Sequence, residues 1–162
     1  MTPVPDEISP FNSALEIGLR ALALLTALYP QAIDLQAMVE LDYLMIHSGD
    51  ADGPESLHPP LPMRSGEMLV RRSMLERGVL LMISRGLIAR ESNVSGFSYR
   101  ATDAAQPLLD ALASPYVQAL RSRAKWVAEA FGSMAADDLA RVTGKFYQRW
   151  GAQFQVIERP YQ

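Results

Sequence analysis

This chain predicts a mainly α-helical fold carrying one β-hairpin, on three observations. Apolar residues recur at helical spacing over most of residues 13–150. The runs are punctuated by residues that start and stop helices. One stretch, LIARESNVSGFSYRAT at 87–102, breaks the helical period with two strand-forming pairs around a turn cluster.

The elements follow in order. SALE at 13–16 has capping-box spacing, and Leu15, Leu19, Leu22 and Leu25 continue it as a helix over 13–29 that Pro30 stops. Asp34 caps a second helix over 34–47, with Leu35, Met38, Val39, Asp42 and Met45 near one stripe. A third helix covers 66–86; Gly78 lies inside it at some cost, and Gly86 is placed to end it. The hairpin occupies 87–101, turning through Asn93–Gly96. Thr102 caps a fourth helix over 103–113. Ser114–Pro115, a capping hydroxyl followed by proline at the first helical position, opens a fifth over 115–131. Asp137 and Asp138 begin a sixth over 136–150, and the residues after Gly151 read as extended. Three helices, a hairpin and a returning helix are the order of a winged helix-turn-helix, here with two additional C-terminal helices. The expected organisation is a poorly ordered N-terminus at 1–11, a winged-helix domain at 12–113, a helical extension at 114–151 and a tail at 152–162. The aromatic stripe Tyr116, Trp126, Phe131, Phe146 and Trp150 is expected to pack on the body or on a second copy, a possible homodimer.

Composition narrows the chemistry. There are no cysteines, which excludes disulfides, thiolate metal sites and a cysteine nucleophile. MTPVPDEISP has neither the basic nor the apolar region of a signal peptide, and no apolar run nears the roughly 20 residues of a membrane span. The expected location is cytoplasmic, with no membrane partner. Net charge is −3 but unevenly spread: residues 1–63 carry one base against nine acids, and residues 64–100 seven arginines against three acids. Such asymmetry fits a partner that meets one face, or a merely solvated basic face.

The segments DYLMIHSGD (42–50), GPESLHPP (53–60), RSGEMLVRR (64–72), ERG (76–78) and MISRGL (82–87), followed by SGFSYRATDAA and SPYVQALRSRAKWV, resemble the middle component of bacterial ABC-three-component systems. The similarity covers roughly residues 14–132. Such components are encoded between an SMC- or RecN-like ABC ATPase and an effector protein, in an arrangement similar to Lamassu-type defence against phage and plasmids. The resemblance implies a non-catalytic adaptor on the ATPase, with no cofactor and no catalytic motif. A winged-helix transcriptional regulator that binds DNA is the alternative.

Two constellations could carry function. The first is the loop HSGDADGPESLHPPLPMRSGE at 47–67, which holds both histidines. His47 and His58 with Asp50, Asp52 and Glu55 could ligate a metal, but no helical pair presets their geometry. DADG starts like a calcium loop without its later ligands. Ser48 beside His47 lacks any oxyanion-hole signature. The plainer reading makes His47 a cation at the end of helix two, Gly49 its C-cap and the prolines stiffeners. With the resemblance, the loop reads as an ordered strap docking on a partner or on helix three, with His47, Asp50, His58, Pro59 and Pro60 as its contact residues. The second is the arginine set Arg64, Arg71, Arg72, Arg90 and Arg100, in and around helix three and the wing. These could contact phosphates or a protein partner. No base-reading set accompanies them, and Arg72 with Glu76 also makes an ordinary i,i+4 pair.

Overall fold

The computed structural model describes residues 13–58 and 67–157. Three of the helix starts foreseen from capping residues are present with their hydrogen bonds. α1 (Ala14–Leu28) begins where the Ser13 hydroxyl accepts from the Glu16 N–H at 3.1 Å. α2 (Leu35–Ile46) begins where the Asp34 carboxylate accepts from Ala37 at 2.8 Å. α5 (Pro115–Phe131) has the Ser114 hydroxyl accepting from Val117 at 3.2 Å and Pro115 at its first position. Each satisfies an N–H that a helix start would otherwise leave bare. α3 (Glu67–Ser84) closes before Gly86, whose φ of +71° is the left-handed geometry that glycine tolerates best.

β1 (Ile88–Asn93) and β2 (Gly96–Ala101) form an antiparallel hairpin with Ile88 opposite Ala101 and Arg90 opposite Tyr99. Its inner half is held on the body by Ile88, Tyr99 and Ala101, all buried, while Val94 and Phe97 stand in solvent. Ile33, between α1 and α2, exchanges two backbone hydrogen bonds with Tyr99 at 3.0 and 2.8 Å, adding a one-residue third strand. α4 (Ala105–Ala111) and α6 (Ala136–Ile157) complete the set. Six helices and one hairpin in this order are consistent with a winged-helix-like fold. The connection from α2 to α3, residues 47–66, is far longer than the short turn of a helix-turn-helix.

Three expectations need correction. α6 does not stop at Gly151 but runs to Ile157, so residues 152–157 are helical rather than extended. A single interior glycine costs about 1 kcal/mol, too little to end a helix when no proline or C-cap geometry follows. Thr102 does not cap α4 as an N-cap residue; Ala104 holds that position, and the Thr102 hydroxyl instead donates to Gly86 O at 2.7 Å, tying the hairpin base to the end of α3. Gly49 is not the C-cap of α2. His47 takes that role, Gly49 lies in a 3-10 turn over Ser48–Ala51, and Asp52 supplies the left-handed residue.

α1 is the axis of the domain. Ile17, Gly18 and the run Arg20–Leu25 are buried on every side, as expected of a helix apolar all round. α3 and β2 pack on it, as do α4 and α5, and α2 crosses it while also meeting α3, α5 and α6. The α1–α3 crossing is unusually close. A Cβ at Gly78 would stand 2.7 Å from the Gly18 nitrogen, and one at Gly18 would stand 2.9 Å from the Gly78 oxygen. The interior glycine of α3 is therefore what lets two backbones touch. Of the aromatic stripe, Tyr116, Trp126, Phe131 and Phe146 pack on the core, with Trp126 and Phe131 edge to face at 5.6 Å. Trp150, like Arg64, Pro59, Pro60 and the N-terminal segment 1–11, lies outside the residues whose side chains are described.

The two kinds of helical glycine should respond oppositely. Gly78→Ala is expected to destabilise by about 1–3 kcal/mol, because backbone cannot give way as a side chain can. Gly144→Ala, with nothing within 4 Å of the added carbon, should stabilise by up to about 1 kcal/mol. Urea denaturation of both variants checks the pair.

Candidate functional site: a buried polar network beneath the strap

Arg20 on α1 and Asp42 on α2 meet inside the domain. Arg20 Nε donates to Asp42 Oδ1 at 2.9 Å and Nη2 to Oδ2 at 2.5 Å, with side chains only 6% and 5% exposed. Arg71 on α3 brings a second guanidinium, 3.6 Å from the same Oδ2, and lies over the Tyr43 ring at 5.3 Å. One carboxylate thus clamps three helices. Burial alone would favour the neutral acid, but the two arginines hold Asp42 below the usual carboxylate range. Burial would likewise lower Arg20, and Asp42 more than reverses it.

The strap closes on itself before it reaches α5. The His47 N–H caps α2 through Tyr43 O at 3.0 Å. The Ser48 hydroxyl donates to Pro54 O at 2.8 Å, and Gly49 N–H donates to the Ser56 hydroxyl at 3.0 Å. Leu57 and His58 then return both N–H groups to Ile46 O at 3.0 and 3.2 Å, so residues 47–58 leave and rejoin the end of α2 as a compact loop. Three contacts fasten it to α5. Gly53 lies flat against Trp126, where a Cβ would sit 2.3 Å from the indole. Arg123 Nε donates to Glu55 O at 3.0 Å. His58 Nε2 and the Tyr116 hydroxyl are 2.9 Å apart. Residues 47–58 of the strap dock on α5, and residues 59–66, with Pro59 and Pro60, lie outside the described residues.

Both histidines are neutral at pH 7. Burial, then the charge of Arg71, lowers His47 to about 4. Burial, then Arg20, lowers His58 to about 4. The expected cation at the end of α2 is therefore absent, because burial among arginines outweighs the helix dipole. Burial and nearby Asp50 push Tyr43 up to about 12, and burial, then Glu16, raises Tyr116. Ser48 is fully buried with its hydroxyl engaged. Among the described residues, no three His, Asp or Glu side chains converge as a metal-holding group.

The four described arginines of the set, Arg71, Arg72, Arg90 and Arg100, do not assemble into one patch. Arg71 turns inward to Asp42. Arg72 Nη1 donates to Gln36 Oε1 at 2.9 Å, and Gln36 passes a hydrogen bond to Glu40 at 3.2 Å. Arg90 stacks on Phe97 at 4.5 Å, across the non-neighbouring positions of the hairpin face. Arg100 pairs with Glu91 at 2.9 Å. Arg20, Asp42, Tyr43, Tyr116 and Trp126 are the site residues that sequence reasoning passes over as a site. Their signal is a charge set among apolar residues in each of two helices, Arg20 in IGLRALALL and Asp42, with Glu40, in VELDYLMI, which favours a buried pair.

Breaking the clamp on one side should cost more than removing it. Arg20→Met alone strands Asp42 and is expected to destabilise by about 3–5 kcal/mol, while Arg20→Met with Asp42→Leu should recover much of that. Paired denaturation curves measure the difference. Acid should act through the histidines. The unfolded chain takes up protons below its ordinary histidine value of 6.5, whereas the fold holds His47 and His58 neutral to about 4. Stability is therefore complete above pH 6.5 and falls between 6.5 and about 4, by roughly 1.4 kcal/mol per pH unit for each histidine. His58→Gln should flatten the dependence of Tm on pH across that window.

Among the described residues, no helix is long and apolar enough to cross a membrane. No curated protein and no solved structure matches the chain. A family model does, over residues 10–153, which include α1 through most of α6 as well as the strap and its buried network. That span is nearly the whole chain, and the chain accordingly belongs to the ABC-three component (ABC-3C) system Middle Component 2 family.

Proposed function

We propose that the chain is a non-catalytic adaptor that links an SMC- or RecN-like ABC ATPase to an effector protein, and that it meets DNA only through the assembled complex. Membership of the middle-component family gives it an adaptor role in a multi-component ABC system. The observation that carries the finer reading is how the arginines are used. All four described members of the expected contact set hold another group of the same chain: Asp42, Gln36, Phe97 and Glu91. A phosphate-binding surface needs cations pointing outward together.

The network supports the non-catalytic part. Its histidines are neutral and buried, its serine hydroxyl is engaged, and its tyrosines are pushed away from ionisation. A catalytic base must reach a substrate proton, and these groups serve each other instead. The cost of burying them goes into holding α1, α2, α3, α5 and the strap in one arrangement. A rigid body of this kind suits a protein that presents surfaces to two partners.

Co-expression with the ABC ATPase and effector of its own system should yield one complex by size exclusion. In that complex, Arg71→Ala with Arg72→Ala should leave the slope of log DNA affinity against log salt unchanged. If either arginine neutralised a phosphate directly, its removal would flatten that slope by about 0.9 per phosphate. Tight binding of the isolated chain, as a dimer, to one short palindrome would instead establish a winged-helix transcriptional regulator.

A further inference from the structure

α3 has two faces of opposite character. Its inner face, Leu75, Gly78, Val79 and Met82, lies against the body. Its outer face carries Leu69 at 73% exposure, Val70 at 57% and Leu80 at 47%, three large apolar side chains on one helix. At 100° per residue, Leu69, Ser73, Leu80 and Ser84 fall within a narrow outward stripe, with Glu76 on one side and Arg77 on the other. The small Ser73 between two leucines leaves a hole flanked by knobs, the relief into which a second helix packs. The stripe from Leu69 to Leu80 is about 16 Å long at 1.5 Å per residue, three turns of a partner helix.

The charges around it are unbalanced. Among the residues of α3 and its end whose side chains are described, Arg72, Arg77 and Arg85 stand exposed against one exposed acid, Glu76. Among the described residues, neither Arg77 nor Arg85 forms an ion pair. The ridge is also held fixed from behind, by Gly78 on Gly18, Arg71 on Asp42 and Arg72 on Gln36. Duplex DNA fits this surface poorly. Phosphates have no apolar area to offer Leu69 and Leu80, and Glu76 would repel them.

We propose that the outward ridge of α3, centred on Leu69, Ser73 and Leu80 and flanked by Arg77, is the docking surface for an acidic amphipathic helix of the ABC ATPase component. Apolar residues of that helix cover the leucines and its carboxylates meet Arg77. The proposal rests on the adaptor reading and adds to it which face, and which kind of partner segment, makes the contact.

The test uses the full chain co-expressed with the ABC ATPase of its own system, and Kd measured at two salt concentrations. Leu69→Glu with Leu80→Glu should weaken association at least tenfold, with Tm unchanged because both residues are exposed. Arg77→Glu should weaken it and reduce its salt dependence, and Val94→Glu at the hairpin tip should have no effect. Undiminished association of the leucine variant would overturn the proposal and leave the adaptor reading standing. Failure of the wild-type chain to bind the ATPase at all would overturn both. A wild-type homodimer that the leucine variant abolishes would make a second copy the occupant and overturn the proposal. Competition by duplex DNA, sensitive to Arg77→Glu in the isolated chain, would overturn it in favour of a nucleic-acid face.

Discussion

One buried carboxylate organises this domain. Asp42 receives two hydrogen bonds from Arg20 and stands beside Arg71, so α1, α2 and α3 meet at a single charge. The arrangement is expensive in isolation, since taking ions out of water costs several kcal/mol each. It is tolerable because each charge finds its opposite with good geometry. It also sets the character of everything around it. Burial first, and the two guanidinium groups after it, make a further cation there unfavourable, and this is why His47 and His58 stay neutral. Once neutral, His58 can engage the Tyr116 hydroxyl, and the strap can lie against α5 without bringing charge inside.

The strap is therefore part of the folded body rather than an appendage to it. Its backbone folds back onto Ile46, its glycine admits the Trp126 ring, and His58 reaches the Tyr116 hydroxyl. A helix-turn-helix with a tight turn has α2 and α3 joined directly. Here the same two helices are joined through a loop that also contacts α5, and α2 and α3 are held instead by side chains, Arg71 on Asp42 and Arg72 on Gln36. Residues that resemble a phosphate-binding set in one dimension are the struts of this assembly in three.

What is legible in the sequence follows from the range of each interaction. Ser13, Asp34 and the Ser114–Pro115 pair act on backbone three residues away, so their spacing alone announces the helix starts. Gly86 and the Asn93–Gly96 turn are equally local, and the hairpin is legible through them. Arg20 and Asp42 lie 22 residues apart and each reads as an ordinary helical charge, so their pairing emerges only with the packing of α1 on α2. Gly78 looks like a penalty because Gly18, its reason for being there, is on another helix. The far end of α6 escapes for a different reason. Gly151 satisfies a stop signal by identity, but the signal depends on a left-handed backbone that the helix does not adopt there.

The contact between Gly18 and Gly78 has a mechanical consequence. Where helices meet through side chains, a small displacement is cushioned, because rotamers can change and the backbones need not follow. At this crossing the two main chains touch directly, with the Met82 side chain packed beside Gly18. A push on α3 from outside is received by α1 as backbone against backbone, and α1 is the helix on which α2, α4, α5 and the hairpin all rest. The domain is thus stiff along one particular line, from its outer helix to its axis. Load applied there moves the body as a whole instead of dissipating in the packing.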